Sequence, residues 1–213
     1  MPLCGKPLVY HTLKQACDSK LFDKVILSTD ITVLLEEEGT PWVRHKRLEN
    51  LAENDTHMIR VVRDVLYRFS VLSESWVWLL QPTSPFRTQD DFKKIDSLLQ
   101  KAEFKSFISV SEVDDHHALR QYLIDPDQEI KRLIRKPSLD AFIPRQKLKP
   151  TVERNGLFYA LQAKTLREVE QFDPHPSYGF LIPVERSRNI NSQYDYELAQ
   201  FEAERLRAKG LWS

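Results

Sequence analysis

Apolar residues along this chain fall into short runs that alternate with longer segments of helical periodicity. The short runs predict strands at residues 25–27, 42–43, 76–80, 107–110, 155–161 and 180–184. The periodic segments predict helices at residues 7–17, 31–38, 56–70, 90–101, 163–171 and 192–209. Short apolar strands separated by helices are typical of a sheet that helices cover on both faces. We therefore expect an α/β fold, a Rossmann-like three-layer sandwich with a mostly parallel sheet.

The alternating pattern breaks after His116. Residues 125–150 are charged and interrupted by prolines, so this segment is predicted to leave the sheet as a hairpin, a lid or a dimerisation arm. A length of 213 residues fits one domain. The predicted organisation is a single domain over residues 1–213, in which residues 120–150 form the dimerisation or lid excursion.

One loop combines a sharp end of a strand with several polar groups. The run Trp76 to Leu80 stops at Gln-Pro-Thr-Ser-Pro, and prolines so closely spaced exclude both a helix and a continued strand. Thr88 and Asp91 then have the spacing of a helix capping box. Open α/β sheets bind ligands in such loops, and this one offers an amide (Gln81), two hydroxyls and a guanidinium (Arg87). The same pattern also fits an ordinary loop followed by a helix cap.

Composition excludes several classes of protein. Thirty-one basic residues balance thirty-one acidic ones, so no net charge favours nucleic acid or an anionic membrane as a partner. No apolar run reaches membrane-spanning length. Cys4 and Cys17 form neither a CxxC pair nor a disulfide framework, which predicts a reducing, cytoplasmic location. None of the five glycines belongs to a Gly-rich phosphate-binding loop.

Several segments resemble, in order and spacing, the acylneuraminate cytidylyltransferases, also called CMP-sialic acid synthetases. The most specific are LLQPTSPFR at residues 79–87, PRQ at 144–146 and NGLFY at 155–159; weaker ones are GKPL at 5–8, STD at 28–30, Arg47 with Leu51 and Ala52, and SVSEVDDHH at 109–117. The resemblance implies a dimeric enzyme that joins CTP to a nine-carbon acid sugar of the sialic acid type, giving the CMP-sugar and pyrophosphate.

The resemblance also implies a set of binding residues and assigns no catalytic residue. Gln81 corresponds to a residue that binds the sugar, and Arg145, Tyr159 and Phe172 to residues that line the same pocket. Arg120 stands where the family usually has a lysine, and Arg47 corresponds to an arginine on the nucleotide side. Considered without the resemblance, the arginines are compatible with solvated surface charges and Tyr159 with a core position.

Two departures from the family pattern bear on activity. The family opens with a strand and a loop that grip the CTP, and this sequence is expected to lack that N-terminal nucleotide-binding segment. The family binds Mg²⁺ with an Asp-Ile-Asp triplet, whereas this chain has Asn189-Ile190-Asn191. Mg²⁺ favours carboxylates, so amides at Asn189 and Asn191 predict much weaker metal binding.

Three hypotheses are compatible with this sequence. The first is an active acylneuraminate cytidylyltransferase. The second is a relative that keeps the fold and the sugar pocket but transfers nothing, and that acts as a binding or assembly protein. The third is a sister enzyme for another 2-keto acid sugar, such as legionaminic or pseudaminic acid; the QPTSP loop argues against the Kdo branch.

Overall fold

The structure, a computed structural model, describes residues 2–101, 104–113, 116–134 and 144–212. The strands in these ranges are β1 (Pro2–Leu3), β2 (Lys6–Pro7), β3 (Ile26–Thr29), β4 (Val43–Lys46), β5 (Trp76–Leu79), β6 (Ser106–Glu112), β7 (Tyr122–Ile124), β8 (Ile130–Arg132), β9 (Val152–Gln162) and β10 (Ser177–Leu181). The helices are α1 (Leu8–Ser19), α2 (Thr32–Glu36), α3 (Met58–Arg68), α4 (Gln89–Leu99), α5 (Ala163–Glu168) and α6 (Gln193–Ala208). These elements confirm the predicted α/β class.

The main sheet has four strands in the order β10-β6-β9-β5. β10 is parallel to β6, whereas β9 runs antiparallel to both β6 and β5. The sheet is therefore mixed rather than mostly parallel, because β9 enters between two strands that run against it. Strands β3 and β4 form a separate parallel pair.

Helices cover both faces of the main sheet, as the three-layer prediction requires. On one face, Phe92 and Ile95 of α4 pack with Phe158 and Ala160 of β9, all fully buried. Burial of one such aromatic side chain stabilises a fold by about 1.5–3 kcal/mol. On the other face, side chains of α3 and α5 pack with Leu161 of β9 and with Val77 and Leu79 of β5. Trp76 and Trp78 of β5 belong to the first face. This alternation is the two-residue period of a strand.

The predicted excursion contains a hairpin of β7 and β8. Its apolar side chains are exposed, including Leu123 at 58%, Ile124 at 63% and Ile130 at 61%. Residues 135–143, in the second half of the predicted excursion, lie outside the described ranges. The homodimer expected through this segment stays a prediction.

Two element boundaries in the N-terminal half differ from the prediction. The helix predicted at residues 31–38 is shorter, since α2 covers only Thr32–Glu36, and no side chain caps its start. The strand predicted at residues 42–43 continues to Lys46, because residues 43–46 pair in register with β3. This pairing between strands decided the end of β4, and local sequence preferences do not record it.

The predicted capping box at the start of α4 is present, and α6 begins with a second one. Thr88 and Asp91 cap α4, and Ser192 and Asp195 cap α6. Asp91 has a second role, since both of its oxygens accept hydrogen bonds from the Arg186 guanidinium, one at 2.9 Å. This ion pair is almost completely buried and joins the start of α4 to the segment after β10. In the described ranges no helix is both long and apolar enough to cross a membrane.

The two capping boxes make a matched pair for a stability experiment. Asp91→Asn keeps an oxygen for the Thr88 amide but removes the charge opposite Arg186. Because it leaves a buried cation unpaired, we expect a loss of about 3–5 kcal/mol in the free energy of unfolding. Asp195→Asn alters the same position of the solvated box and should cost clearly less. Urea unfolding of both variants measures the difference, and equal losses would contradict the role given to the Arg186 pair.

Candidate active site

The loop after β5 is held from beneath by Arg87, which is 1% exposed. Its Nε donates to the carbonyl oxygen of Leu157 at 2.7 Å, and its terminal nitrogens donate to Thr12 Oγ1 at 3.1 Å and to the Gln81 carbonyl at 2.8 Å. Burial lowers the pKa of the Arg87 guanidinium to about 9, while the charge of Asp91 opposes this shift. Arg87 therefore remains charged at neutral pH. Its role is structural, since it ties the loop to α1 and β9.

Two further contacts fix the upper part of the same loop. Ser84 Oγ donates to the Asn155 carbonyl at 3.0 Å, and the Ile190 amide donates to the Thr83 carbonyl at 2.8 Å. The first contact joins the loop to β9, and the second joins it to the segment before α6. The loop, β9 and the 189–191 segment therefore form one rigid polar surface.

Gly156 permits these parts to approach closely. It has a φ of +77°, and a Cβ at this position would lie 2.7 Å from Gln81 Oε1, 2.8 Å from Ser84 Oγ and 3.6 Å from Asn189 Nδ2. Any larger residue would displace them and would also be strained at this φ. The structure thus brings Gln81 and Asn189, two of the predicted site residues, to the same small space above Gly156.

Asn155, beside this glycine, holds the site to two other elements. Its Oδ1 accepts from Ser109 Oγ of β6 at 2.6 Å, and its Nδ2 donates to Ser187 Oγ at 3.1 Å. Asn155 is 3% exposed. The sequence pattern NGLFY places Asn155 beside Gly156 but indicates no role for its side chain, because its hydrogen-bond partners lie 46 and 32 residues away. We identify it as a residue that positions Gly156.

Tyr159 and Phe172, which the resemblance assigns to the sugar pocket, lie next to each other. Their ring centroids are 5.5 Å apart at an interplanar angle of 50°. Tyr159 pairs across the sheet with Leu79, two residues before Gln81. Burial raises the pKa of the Tyr159 phenol, so the hydroxyl stays protonated at neutral pH and can donate a hydrogen bond. The pair offers an apolar wall with one polar tip.

In the described part of the chain, none of the three arginines predicted for the site is seen hydrogen-bonded to Gln81 or Asn189. Their positions are as follows. Arg120 is exposed at the end of a short 3-10 turn, Ala118–Arg120. Arg145 begins another such turn, Arg145–Lys147, and its side chain lies outside what the structure describes. Arg47 follows β4, and its Nε donates to Ser28 Oγ at 3.2 Å. In the described ranges, no hydrogen bond or ion pair joins Arg47 or Arg120 to the Gln81 loop.

Comparison with known proteins gives this surface a context. The family described as "Cytidylyltransferase" matches residues 1–206. The chain belongs to the cytidylyltransferase family. It is accordingly a nucleotidyltransferase by family, as the loop sequence had implied.

Individual relatives share about a quarter of their aligned residues with this chain. CMP-N,N'-diacetyllegionaminic acid synthase of Legionella pneumophila is 27% identical over 206 residues, covering 93% of this chain and 85% of the relative. N-acylneuraminate cytidylyltransferase of Streptococcus agalactiae is 27% identical over 199 residues, 91% of this chain and 46% of the relative. The cytidylyltransferase described here therefore spans less than half the length of that relative. Pseudaminic acid cytidylyltransferase of Campylobacter jejuni is 24% identical over 202 residues, 92% of this chain and 84% of the relative.

Two solved structures share the fold. CMP:2-keto-3-deoxy-manno-octonic acid synthetase complexed with CTP has a TM-score of 0.65 at 12% identity and covers 99% of this chain and 91% of that one. 4-Diphosphocytidyl-2C-methyl-D-erythritol synthase from Anaerococcus prevotii has a TM-score of 0.61 at 16% identity and covers 95% and 88%. At these identities the likeness establishes the Rossmann-like α/β fold alone.

The residues of this cytidylyltransferase at the expected metal position do not fit Mg²⁺. Asn189 and Asn191 supply only neutral amides. The neighbouring carboxylate, Asp195, already accepts hydrogen bonds from the amides of Asn191 and Ser192 and from the Ser192 hydroxyl, which hold the pKa of Asp195 below its ordinary value. In the described part of the chain, no three His, Cys, Asp or Glu side chains are grouped as a metal site. Mg²⁺ is a hard cation that favours the charged oxygens of carboxylates, which this position lacks.

The close approach above Gly156 can be tested with three glycines. Gly156→Ala should destabilise the protein by about 2–4 kcal/mol, because backbone strain adds to the displacement of Gln81 and Ser84. Gly39→Ala isolates the strain, since Gly39 has a φ of +70° in open space. Gly179→Ala adds only an ordinary contact with Val110 at 3.5 Å. Urea unfolding should rank the losses Gly156 > Gly39 > Gly179; equal losses at the first two would contradict the close approach.

The charge argument about the metal position gives a second test. Asn189→Asp with Asn191→Asp restores two carboxylates, and we expect at least about tenfold tighter Mg²⁺ binding in calorimetry. The control variant, Asn50→Asp with Gln200→Glu, adds the same charge at exposed positions elsewhere and should leave the affinity unchanged. Unchanged affinity in the first variant would mean that the metal position lies elsewhere.

Proposed function

We propose that this chain activates a nine-carbon acid sugar with CTP, giving the CMP-sugar and pyrophosphate. The observation that carries the proposal is the convergence of Gln81 and Asn189 above Gly156, in a chain matched by the cytidylyltransferase family over residues 1–206. The relatives from Legionella, Streptococcus and Campylobacter are all named for acid sugars of this kind.

The chemistry of the surface suits such a sugar. Amide groups such as that of Gln81 both donate and accept hydrogen bonds, which suits hydroxyl and acylamino substituents. The Tyr159–Phe172 wall suits the apolar face of a sugar ring or an acyl methyl group. We assign the sugar carboxylate to Arg145 and Arg120, because guanidinium groups form paired hydrogen bonds with carboxylates.

The proposed reaction is an in-line displacement at the α-phosphorus of CTP. The anomeric oxygen of the sugar forms the new O–P bond, the bond from the α-phosphorus to the bridging oxygen breaks, and pyrophosphate leaves with that electron pair. The anomeric proton passes to solvent or to a base that we do not assign. Protein cations stabilise the charge that develops on the phosphates, and we place Arg47 on this side.

A second candidate function is favoured by the uncharged amides at Asn189 and Asn191. In this alternative the chain binds the sugar through Gln81 and the aromatic wall, transfers nothing, and acts as a binding or assembly protein. The rigid Gln81 surface supports sugar recognition equally in both functions. What separates them is whether the phosphates react.

Pyrophosphate release separates the two candidates. The purified chain is incubated with CTP, excess Mg²⁺ and either N-acetylneuraminate, a legionaminic acid or a pseudaminic acid, against controls without sugar. Release that depends on one sugar supports the enzyme and identifies its substrate class. No release, with a sugar-dependent rise in melting temperature, supports the binding protein. Neither release nor stabilisation by any of these sugars would overturn the proposed sugar pocket.

A variant links either result to the site. Gln81→Leu keeps the volume but removes the amide, so the sugar-dependent effect should fall by about tenfold, the size of one or two hydrogen bonds. Gln200→Leu, which changes an exposed glutamine of α6 outside the proposed pocket, is the matched control and should retain the effect.

A further inference from the structure

Behind Arg47 lies a chain of hydrogen bonds that the proposed function does not use. Arg47 Nε donates to Ser28 Oγ at 3.2 Å, Ser28 Oγ lies 3.0 Å from His45 Nδ1, and His45 Nε2 lies 2.9 Å from Asp64 Oδ2. Ser28 and His45 are register partners on β3 and β4, and Asp64 belongs to α3. Three elements therefore build one line of polar groups that ends at an arginine.

The two ends of this line have fixed roles. Arg47 Nε can only donate, and the Asp64 carboxylate accepts from His45 Nε2. In the tautomer with its hydrogen on Nε2, His45 accepts at Nδ1 from the Ser28 hydroxyl. The Ser28 oxygen is left to accept from Arg47 Nε.

His45 and Asp64, at the end of the line away from Arg47, are held by further contacts. His45 is 4% exposed and packs edge-on against Phe69 at 6.1 Å between ring centroids. Asp64 also accepts from Arg68 Nε at 2.9 Å and 3.1 Å on its two oxygens. A buried histidine held on both nitrogens cannot rotate without losing a bond. The position of Ser28 Oγ, and with it the Arg47 Nε, is thereby fixed.

Arg47 itself is left with its outer edge uncommitted. In the described ranges, its terminal nitrogens have no hydrogen bond and no carboxylate within 4.0 Å forms an ion pair with it. It follows the carboxyl end of β4, in the sequence Arg44-His45-Lys46-Arg47. A guanidinium held through Nε presents its two terminal nitrogens side by side, a geometry that matches two oxygens of a phosphate.

We propose that Ser28 and His45 are positioning residues that aim Arg47 at the phosphates of the bound nucleotide. The inference rests on the proposed function, since CTP is the ligand that brings phosphates to this chain. A free arginine loses side-chain entropy when it binds. The line from Asp64 removes part of this loss in advance, because Arg47 is ordered before the nucleotide arrives.

The hydrogen bond is tested first without any nucleotide. In ¹⁵N NMR spectra, the Arg47 Nε–H signal, assigned through its loss in Arg47→Lys, should exchange slowly with water. Ser28→Ala should accelerate this exchange at least about tenfold, and Ser28→Thr, which keeps the hydroxyl, should restore slow exchange. Ser19→Ala removes a comparable half-buried serine and should change nothing at Arg47. An unchanged exchange rate in Ser28→Ala overturns the positioning role, whatever the nucleotide result.

The functional part is tested by a double-mutant cycle on CTP affinity. Ser28→Ala should weaken CTP binding by about five- to tenfold, the size of one hydrogen bond, with sugar binding little changed. Arg47→Ala should weaken it further, and the double variant should equal Arg47→Ala alone, because Ser28 acts only through Arg47. Binding of cytidine, which has no phosphate, should be insensitive to all three.

The remaining outcomes are also decisive. Additive losses in the double variant would mean that Ser28 supports the fold rather than Arg47, and would overturn the inference. Wild-type protein that binds no CTP overturns the proposed function and the phosphate assignment together, and the exchange experiment then decides the hydrogen-bond line by itself. CTP binding that falls with Arg47→Ala but not with Ser28→Ala overturns the inference and leaves the proposed function standing.

Discussion

The buried guanidinium of Arg87 is the interaction on which the site depends. Its donors satisfy carbonyl oxygens of β9 and of the Gln81 loop and reach α1 through Thr12. A charge without solvent is tolerated only because hydrogen bonds and the nearby Asp91 compensate for its lost hydration. If this group were removed, the Leu157 carbonyl would lose its side-chain donor, the Gln81 carbonyl would keep only the Ser84 amide, and the proline-rich loop would lose its direct hydrogen bond to Thr12 of α1.

The other groups that position the site residues around Arg87 carry no charge. Ser84, Asn155 and Gly156 bring the Gln81 amide close to Asn189, and the aromatic pair of Tyr159 and Phe172 lies on the sheet face beside Leu79. Neutral hydrogen-bonding groups on a rigid frame suit the recognition of hydroxyls and amides. They do not supply the negative charge that favours magnesium binding. We therefore treat sugar recognition and phosphate transfer as separable properties of this cytidylyltransferase.

Helix α3 connects the two sides of the proposed site. Its apolar residues Ile59, Val62 and Leu66 belong to the same core cluster that Phe172 packs against, while Asp64 holds His45 on β4. The separate β3–β4 pair is therefore not free relative to the main sheet, because one helix packs against the sheet and bonds to the pair. This gives a physical basis for the proposed order in Arg47 before a nucleotide binds.

The sequence by itself determined the elements whose signals are local. The capping boxes at Thr88 and Ser192, the break at Pro82 and Pro85, and the apolar run of β5 each depend on neighbours within a few residues, and the resemblance to the family rested on short segments such as LLQPTSPFR and NGLFY. Tertiary structure decided the antiparallel course of β9, the strand character of residues 44–46, the positioning role of Asn155 and the Ser28–His45–Asp64 line. These depend on partners that lie from 17 residues apart, as for Ser28 and His45, to 86 residues apart, as for Trp76 and Gln162. Contacts at such separations exist only once the chain has folded, and no local preference encodes them.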